Sequence, residues 1–206
     1  IVGVAICDAN DDILLSGRRG KCIRFPVIDV RVFKSRDSVG VRGIRLVGDD
    51  ELIAMSIVRH AEFDSDTRDR YLRWSNARRR AEGEGESSAD PLPSAPEQAD
   101  EMAAAEQFVL SITENGYGKR TSAYEYRVTG RGGQGIINIE ASDRNGPVVA
   151  SAPVEEDHHI MLVTDTGRLI RTPVHDIRIA GRNTQGVTLF DVEPNERVVA
   201  VAWLSE

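Results

Sequence analysis

Arginine and glycine recur in this sequence at a spacing that suits the binding of anions. The segment GRGGQG, residues 130–135, has four glycines and one arginine in six residues. Glycines allow backbone amides to approach an anion closely, and the planar guanidinium of arginine can bind two phosphate oxygens at once. The pattern R-x-x-x-G occurs at residues 36–40, 131–135 and 182–186. We therefore predict phosphate binding at equivalent places along the chain.

Other kinds of chemistry are weakly supported. A dinucleotide fingerprint needs a helix after its glycines, whereas the β-like run IINIE follows here at residues 136–140. The histidines, His60, His158, His159 and His175, lack the cysteine or carboxylate spacing of a metal site. We find no arrangement typical of a catalytic triad or a cysteine–histidine nucleophile. We therefore predict no catalytic residue, no metal site and no cofactor within this chain.

A heptad with small residues at its third and fifth positions occurs four times. The copies are IVGVAIC, LIAMSIV, VVASAPV and VVAVAWL, at residues 1–7, 52–58, 148–154 and 198–204. Side chains two residues apart share one face of a strand, so each copy presents a narrow face. We expect neighbouring sheets to approach closely at these faces.

A second element recurs between the heptads. It starts at a glycine, contains a hydrophobic residue followed by arginine, and ends in R-x-x-x-G, at residues 20–40, 116–135 and 167–186. Together the two elements define a unit of about fifty residues, with one insertion of about forty-five. Each unit reads as four short strands, which in the first unit are DILLS, KCIRF, GIRLV and the heptad. We predict an all-β, propeller-like array of four-stranded blades, with about three blades in this chain.

The repeat divides the chain into four parts. Residues 1–58 are expected to hold the closing strand of an upstream blade and the first complete blade, and residues 106–154 and 155–206 the second and third blades. The insertion, residues 59–105, begins with a predicted helix capped by Asp64 or Ser65. It continues with an acidic, Pro- and Ser-rich stretch at residues 83–101 that we expect to be disordered, then a short helical lead-in, EMAAAEQF. Because the chain begins at Ile1 inside a β-like run, we expect it to be part of a longer protein.

The distribution of charge indicates a partner that the total charge does not. The net charge of −7 argues against a nucleic-acid partner, but the three segments between paired glycines hold 13 basic and 4 acidic residues. In a bladed array these segments form a continuous basic band, suited to the backbone of double-stranded DNA without preference for sequence. The predicted DNA-binding residues are Lys21, Arg24, Arg31, Lys34, Arg36, Arg42, Arg45, Lys119, Arg120, Arg127, Arg131, Arg168, Arg171, Arg178 and Arg182.

The remaining composition favours a reducing environment. Cys7 and Cys22 are the two cysteines, and their separation does not suggest a disulfide framework. The sequence has no stretch of about 18 apolar residues, so we expect no membrane partner. We predict a cytoplasmic location.

Three motifs carry a family resemblance: NGYGKRT, GRNTQGV and GVRGIRL, at residues 115–121, 181–187 and 40–46. With the repeating unit, they resemble the C-terminal domain of the A subunit of bacterial DNA gyrase. The resemblance implies a β-pinwheel of usually six blades, whose basic perimeter wraps DNA and supports ATP-dependent negative supercoiling. It also implies assembly with the remainder of the gyrase A subunit, with the gyrase B subunit in an A2B2 enzyme, association with the nucleoid, and ATP and Mg bound by other regions.

The sequence also departs from the family pattern. The signature box Q-R-R-G-G-K-G, which belongs to the first blade of the family, is absent, and GRGGQG looks like a degenerate copy of it. The insertion is not part of the common pattern. The catalytic tyrosine and the ATPase site of the family lie in other regions, so no tyrosine here receives a catalytic role. Two alternatives remain open: the paralogous subunit of topoisomerase IV, and a propeller that binds proteins.

Overall fold

The computed structural model describes residues 1–34, 36–83 and 92–204. The chain forms two compact units. One, the propeller unit, consists of Ile1–His60 and Gln107–Glu206; the other, the insertion unit, consists of Ala61–Glu106.

The propeller unit is built from short antiparallel strands in three sheets. The order across the first sheet is β3-β1-β2-β6, across the second β10-β5-β4-β7, and across the third β11-β8-β9. The strands are β1 (Asp11–Gly17), β2 (Lys21–Pro26), β3 (Leu52–Arg59), β4 (Phe108–Thr113), β5 (Tyr117–Ser122), β6 (Ile136–Ile137), β7 (Val148–Val154), β8 (His159–Thr164), β9 (Leu169–Pro173), β10 (Val187–Thr188) and β11 (Val198–Leu204). This is the predicted all-β array of three blades.

The outermost strand of a blade comes from the following unit. Strand β6 pairs with β2 of the preceding unit, so that Ile137 lies opposite Lys21 and Ile136 opposite Cys22. Strand β10 pairs with β5 in the same way, with Val187 opposite Gly118. The predicted blade of four consecutive strands is therefore wrong in its connectivity.

Two predicted strands, one of the first unit and the closing strand of the upstream blade, are absent from the described structure. Neither GIRLV, residues 43–47, nor IVGVAIC, residues 1–7, forms a strand, and Ile1 and Ile6 are fully exposed. Residues 43–47 make two backbone hydrogen bonds with the GRGGQG loop, from the amide of Arg45 to the carbonyl of Gly133 and from the amide of Gly132 to the carbonyl of Gly43. These bonds are too few to form a regular ladder, on which the stability of a strand depends. The equivalents of GIRLV in later units begin at β6 and β10, which pair with the second strand of the unit before.

The small-faced strands β3, β7 and β11 lie next to each other, as expected from their composition. Ser56 of β3 donates a hydrogen bond to the carbonyl of Ser151 in β7 at 3.4 Å. Ser16 of β1 reaches the hydroxyl of Ser151 at 3.2 Å. Small side chains therefore bring adjacent blades into direct contact.

Two clusters of the apolar core lie between adjacent blades, and a third lies within the first unit. One cluster joins the first two blades and includes Leu14, Cys22 and Tyr126. A second joins the last two and includes Leu110 and Leu162. Adjacent blades thus stabilise each other, as expected of a repeat protein.

The constant glycine of R-x-x-x-G allows the outer strand to dock. Gly135 and Gly186 precede β6 and β10 and have positive φ angles of 72° and 80°. A Cβ atom at Gly135 would overlap the carbonyl oxygen of Cys22, and one at Gly186 would lie 2.7 Å from that of Gly118. These glycines therefore serve close backbone approach.

Replacing Gly135 by alanine is expected to destabilise the protein far more than the same change at Gly40. Both glycines have positive φ, which costs alanine about 1 kcal/mol, but a Cβ at Gly40 meets no described atom within 4 Å. Only Gly135→Ala adds the overlap with Cys22, so we expect it to lower the free energy of unfolding by at least about 2 kcal/mol more. Urea unfolding measures both variants, and equal losses would contradict the docking role.

The insertion unit contains two helices, α1 (Ser65–Gly83) and α2 (Ala99–Ala105). The first is the predicted helix: Asp64 caps it by accepting hydrogen bonds from the amide and hydroxyl of Thr67 at 2.9 and 2.8 Å. Those bonds lower the pKa of Asp64. Tyr71 of α1 and Met102 of α2 are buried.

The expected disorder at residues 83–101 is tested only in part. Residues 84–91 lie outside the described residues. Residues 99–101 belong to α2, so the prediction is wrong there, and the predicted lead-in helix starts two residues early.

Among the helices in the described ranges, none is long and apolar enough to cross a membrane.

Candidate nucleic-acid interface

Most of the predicted DNA-binding side chains lie at the surface of the propeller unit. Arg182 is half-buried. The exposed members are Lys21, Arg31, Lys34, Arg36, Arg42, Arg45, Arg127, Arg131, Arg168, Arg171 and Arg178.

Three arginines occupy the same position in the three units, and local structure explains why they are exposed. In each unit the second strand runs into a 3₁₀ turn: Val27–Asp29, Ala123–Glu125 or Val174–Asp176. The hydrophobic residue that follows the turn packs inward; Tyr126 and Ile177 are each 1 % exposed. The chain is extended there, so the next side chain faces the opposite way. We call Arg31, Arg127 and Arg178, which are all exposed, the post-turn arginines.

The arginines of R-x-x-x-G contact the preceding unit as well as the surface. Arg131 donates from Nε to the carbonyl of Asp29 at 3.0 Å and from Nη1 to that of Arg42 at 3.2 Å. Arg182 donates from Nη1 to the carbonyl of Ile137 at 3.2 Å. A guanidinium has five donors, so Arg131 retains donors that can face a phosphate.

Arg24 and Arg120 are buried, which corrects the prediction for them. Arg24 donates from Nε to Asp12 at 2.7 Å and from Nη1 to the carbonyl of Ala123, in the next unit, at 2.8 Å. Arg120 donates to the carbonyls of Ile177 and His175 at 2.7 and 3.0 Å. Through these bonds each arginine joins two blades. Because each is only 5 % exposed, its side chain is not accessible to a phosphate.

Lys119 is also buried and structural. Its Nζ donates to the carbonyls of Gly181, Arg182 and Thr184 at 2.6, 2.7 and 3.1 Å, which holds the GRNTQG loop against the second blade. Burial lowers the pKa of Lys119 to about 7, although the nearby Glu125 favours the charged form. The prediction of a phosphate contact is therefore corrected here too.

A signal in the sequence could have separated Lys119 from the surface residues. The equivalent positions of the other two units, aligned on the arginine that follows, are Ile23 and Ile170. A position that is apolar in two copies of a repeat faces the interior, and a lysine there must find internal acceptors.

Arg168 is exposed but already paired. Its Nη1 lies 2.6 Å from Oε2 of Glu196, and its guanidinium lies 4.5 Å from the centre of the Phe190 ring. Glu196 also accepts hydrogen bonds from Thr166 and Thr164, and these bonds lower its pKa to about 2. Arg168 thus fixes the turn between β8 and β9, and binding a phosphate would compete with that role.

The GRGGQG loop forms one wall of a shallow open pocket of about 210 Å³. Arg127, Gln134 and Cys22 line it with the loop glycines. Burial raises the pKa of the Cys22 thiol to about 12, so the pocket offers an arginine and backbone groups but no thiolate at neutral pH. In the part of the chain that the structure describes, no three His, Cys, Asp or Glu residues are placed to hold a metal ion.

Comparison with known proteins agrees with the fold and with the repeat. The family model described as "DNA gyrase C-terminal domain, beta-propeller" matches residues 11–59, 107–155 and 158–202, one segment for each unit. The DNA gyrase A subunit of Granulibacter bethesdensis is 47% identical over 218 residues, covering 98% of this chain and 23% of the relative. That of Salmonella typhimurium is 34% identical over 206 residues, covering 100% of this chain and 18% of the relative. The chain thus spans about a fifth of the length of these relatives.

Solved structures show the same fold. A DNA gyrase A C-terminal domain matches with a TM-score of 0.66 at 20% identity, over 95% of this chain and 51% of that one. A C-terminal domain of DNA topoisomerase IV matches with a TM-score of 0.67 at 18% identity, over 95% and 47%. The chain belongs to the DNA gyrase C-terminal domain family, whose fold is a β-propeller.

Proposed function

We propose that this chain binds double-stranded DNA through its phosphate backbone and bends the duplex around the edge of the blades. The observation that carries the proposal is the exposure of the post-turn arginines at one repeated position. A repeated position in a bladed array follows a curve, and arginines spaced along a curve favour a bent duplex. The described part of the propeller unit consists of strands, loops and 3₁₀ turns, which supports contact with the backbone rather than base readout by an α-helix.

In the whole protein, we infer, this chain is the DNA-wrapping part of a gyrase A subunit. Wrapping presents a DNA segment for passage in a positive crossover, and ATP hydrolysis then drives negative supercoiling. Strand cleavage, ATP and Mg belong to other parts of an A2B2 assembly with the gyrase B subunit, in the cytoplasm on the nucleoid. The relatives named as DNA gyrase A subunits, which are several times longer than this chain, support this inference.

Ligation of nicked circular DNA in the presence of excess chain tests the proposal. We expect the sealed circles to shift towards positively supercoiled topoisomers as the ratio of chain to DNA rises, because wrapped DNA stores a crossover when the nick closes. A variant with Arg31→Gln, Arg127→Gln and Arg178→Gln is the control and should give no shift. Binding without any shift would show that the chain does not wrap DNA. An equal shift in the variant would place the binding surface elsewhere.

A further inference from the structure

We propose that the exposed face of α1, in the insertion unit, is a second surface that binds the DNA backbone. This proposal goes beyond the proposed function because the surface on α1 lies outside the repeating unit. All basic residues of the insertion unit are arginines within α1, at positions 68, 70, 73, 78, 79 and 80. The turn of the helix makes these arginines point in different directions, so that two are half-buried and four are exposed. Three of the exposed ones, Arg70, Arg73 and Arg80, share one side of the helix, and we call them the α1 basic face.

The inner face of α1 is occupied by contacts within the insertion unit. Arg79 donates from Nη2 to Oε2 of Glu106 at 2.6 Å, and the Tyr71 hydroxyl donates to the same oxygen at 2.8 Å. Tyr71 is 1 % exposed, and Met102 of α2 is fully buried. These contacts fix the rotation of the helix, so they determine which arginines point to solvent.

The outer face has contacts that a phosphate can replace at little cost. The side of α1 that holds these arginines also carries two exposed carboxylates, Asp66 and Asp69. Arg70 pairs with Asp66 at 3.1 Å, but the two side chains are 51% and 75% exposed, and pairs of this kind contribute little. Arg73 donates from Nε to the carbonyl of Asp69, one turn back in the same helix, at 3.2 Å.

The chemistry of this face fits duplex backbone better than unpaired bases. The ring of Trp74 lies 5.8 Å from that of Tyr71 and has the Arg78 guanidinium 5.6 Å from its centre. That ring is therefore partly covered, whereas binding of single strands relies on open aromatic rings for stacking. From Arg70 to Arg80 the helix rises about 15 Å, which is long enough for its arginines to reach separate phosphates.

The test compares two triple variants of the complete 206-residue chain. Arg70→Gln, Arg73→Gln and Arg80→Gln removes three charges from α1 while keeping its helix propensity. The matched control, Arg19→Gln, Arg144→Gln and Arg197→Gln, removes three exposed charges from turns of the propeller unit. The probe is a mixed-sequence linear duplex, followed by fluorescence anisotropy across a salt series. We expect the α1 variant to reduce the slope of log K against log salt by about 2.7, and the control to leave it unchanged.

A second measurement, the fluorescence of a tryptophan on α1, detects binding of duplex at this surface directly. The sequence has two tryptophans, so Trp203→Phe leaves Trp74 on α1 as the reporter. Its fluorescence should change on addition of duplex, with the same Kd as the anisotropy, and the α1 variant should abolish the change. An unchanged slope, or an equal fall in the control, would overturn the proposal. If the unaltered chain binds no duplex at all, the proposed function fails; if it binds with an unaltered slope in the α1 variant, only this inference fails.

Discussion

Replacing Arg24 by leucine is expected to lower the free energy of unfolding by about 3 kcal/mol. Arg24 joins two blades, and its loss leaves the carboxylate of Asp12 inside the protein, where Asp12 is completely buried. Removing one partner of a buried ion pair costs about 3–5 kcal/mol. The lower value applies here because His60 also contacts Asp12, at 2.9 Å, and retains that contact. The midpoint of urea unfolding measures the loss.

The matched control is Arg171→Leu, at the equivalent position of the third unit, where the arginine is exposed. Its loss should stay under about 1 kcal/mol. Under conditions in which both variants are folded, Arg24→Leu should bind duplex DNA with the Kd of the unaltered chain, because its guanidinium is inaccessible. Normal stability together with weakened DNA binding would mean that Arg24 is a phosphate contact after all.

The fold class could be predicted from the sequence because the repeat is strong. The heptads with small residues, the turn glycines and the R-x-x-x-G segments recur in register. Each repeat predicts the same two features, one strand with a narrow face and one tight turn. Local signals of this kind favour strands, although residues 1–7 carry the same heptad and form none.

The exchange of outer strands could not be predicted from the same patterns. A strand of two residues such as β6 carries almost no periodic signal, and which neighbour it pairs with depends on tertiary contacts. Gly135 was the residue in the sequence that marked the docking point, since its positive φ permits the close approach to Cys22. A glycine in a loop nevertheless suits a phosphate cradle and a docking point equally well.

For the candidate site, the repeat predicts which residues occupy equivalent positions but not the environment of each side chain. Arg31 and Arg24 lie in the same repeated segment, yet one is exposed and the other is buried against Asp12. Arginine suits both roles, because its guanidinium binds phosphates and also joins carboxylates to carbonyls. The partners of Arg24 in the next unit lie about 100 residues away, a distance at which spacing in the sequence indicates nothing.

Replacing the three post-turn arginines by glutamine is expected to weaken DNA binding about a hundredfold at about 0.1 M salt. Each arginine neutralises one phosphate, so the slope of log K against log salt should fall by about 2.7. Stability should change little, because the three side chains are exposed. The control is again Arg19→Gln, Arg144→Gln and Arg197→Gln, which removes the same charge from other turns. Equal weakening in both variants would indicate a general charge effect and not a repeated contact surface.

The salt dependence of Kd for the unaltered chain tests the central claim most directly. Anisotropy with two duplexes of unrelated sequence, between about 50 and 200 mM salt, gives the number of phosphate contacts from the slope. A surface with at least six of the exposed basic residues in contact predicts a slope of about −5 or steeper, and the same Kd for both sequences. A slope near zero, or no binding at the lowest salt, would contradict the account.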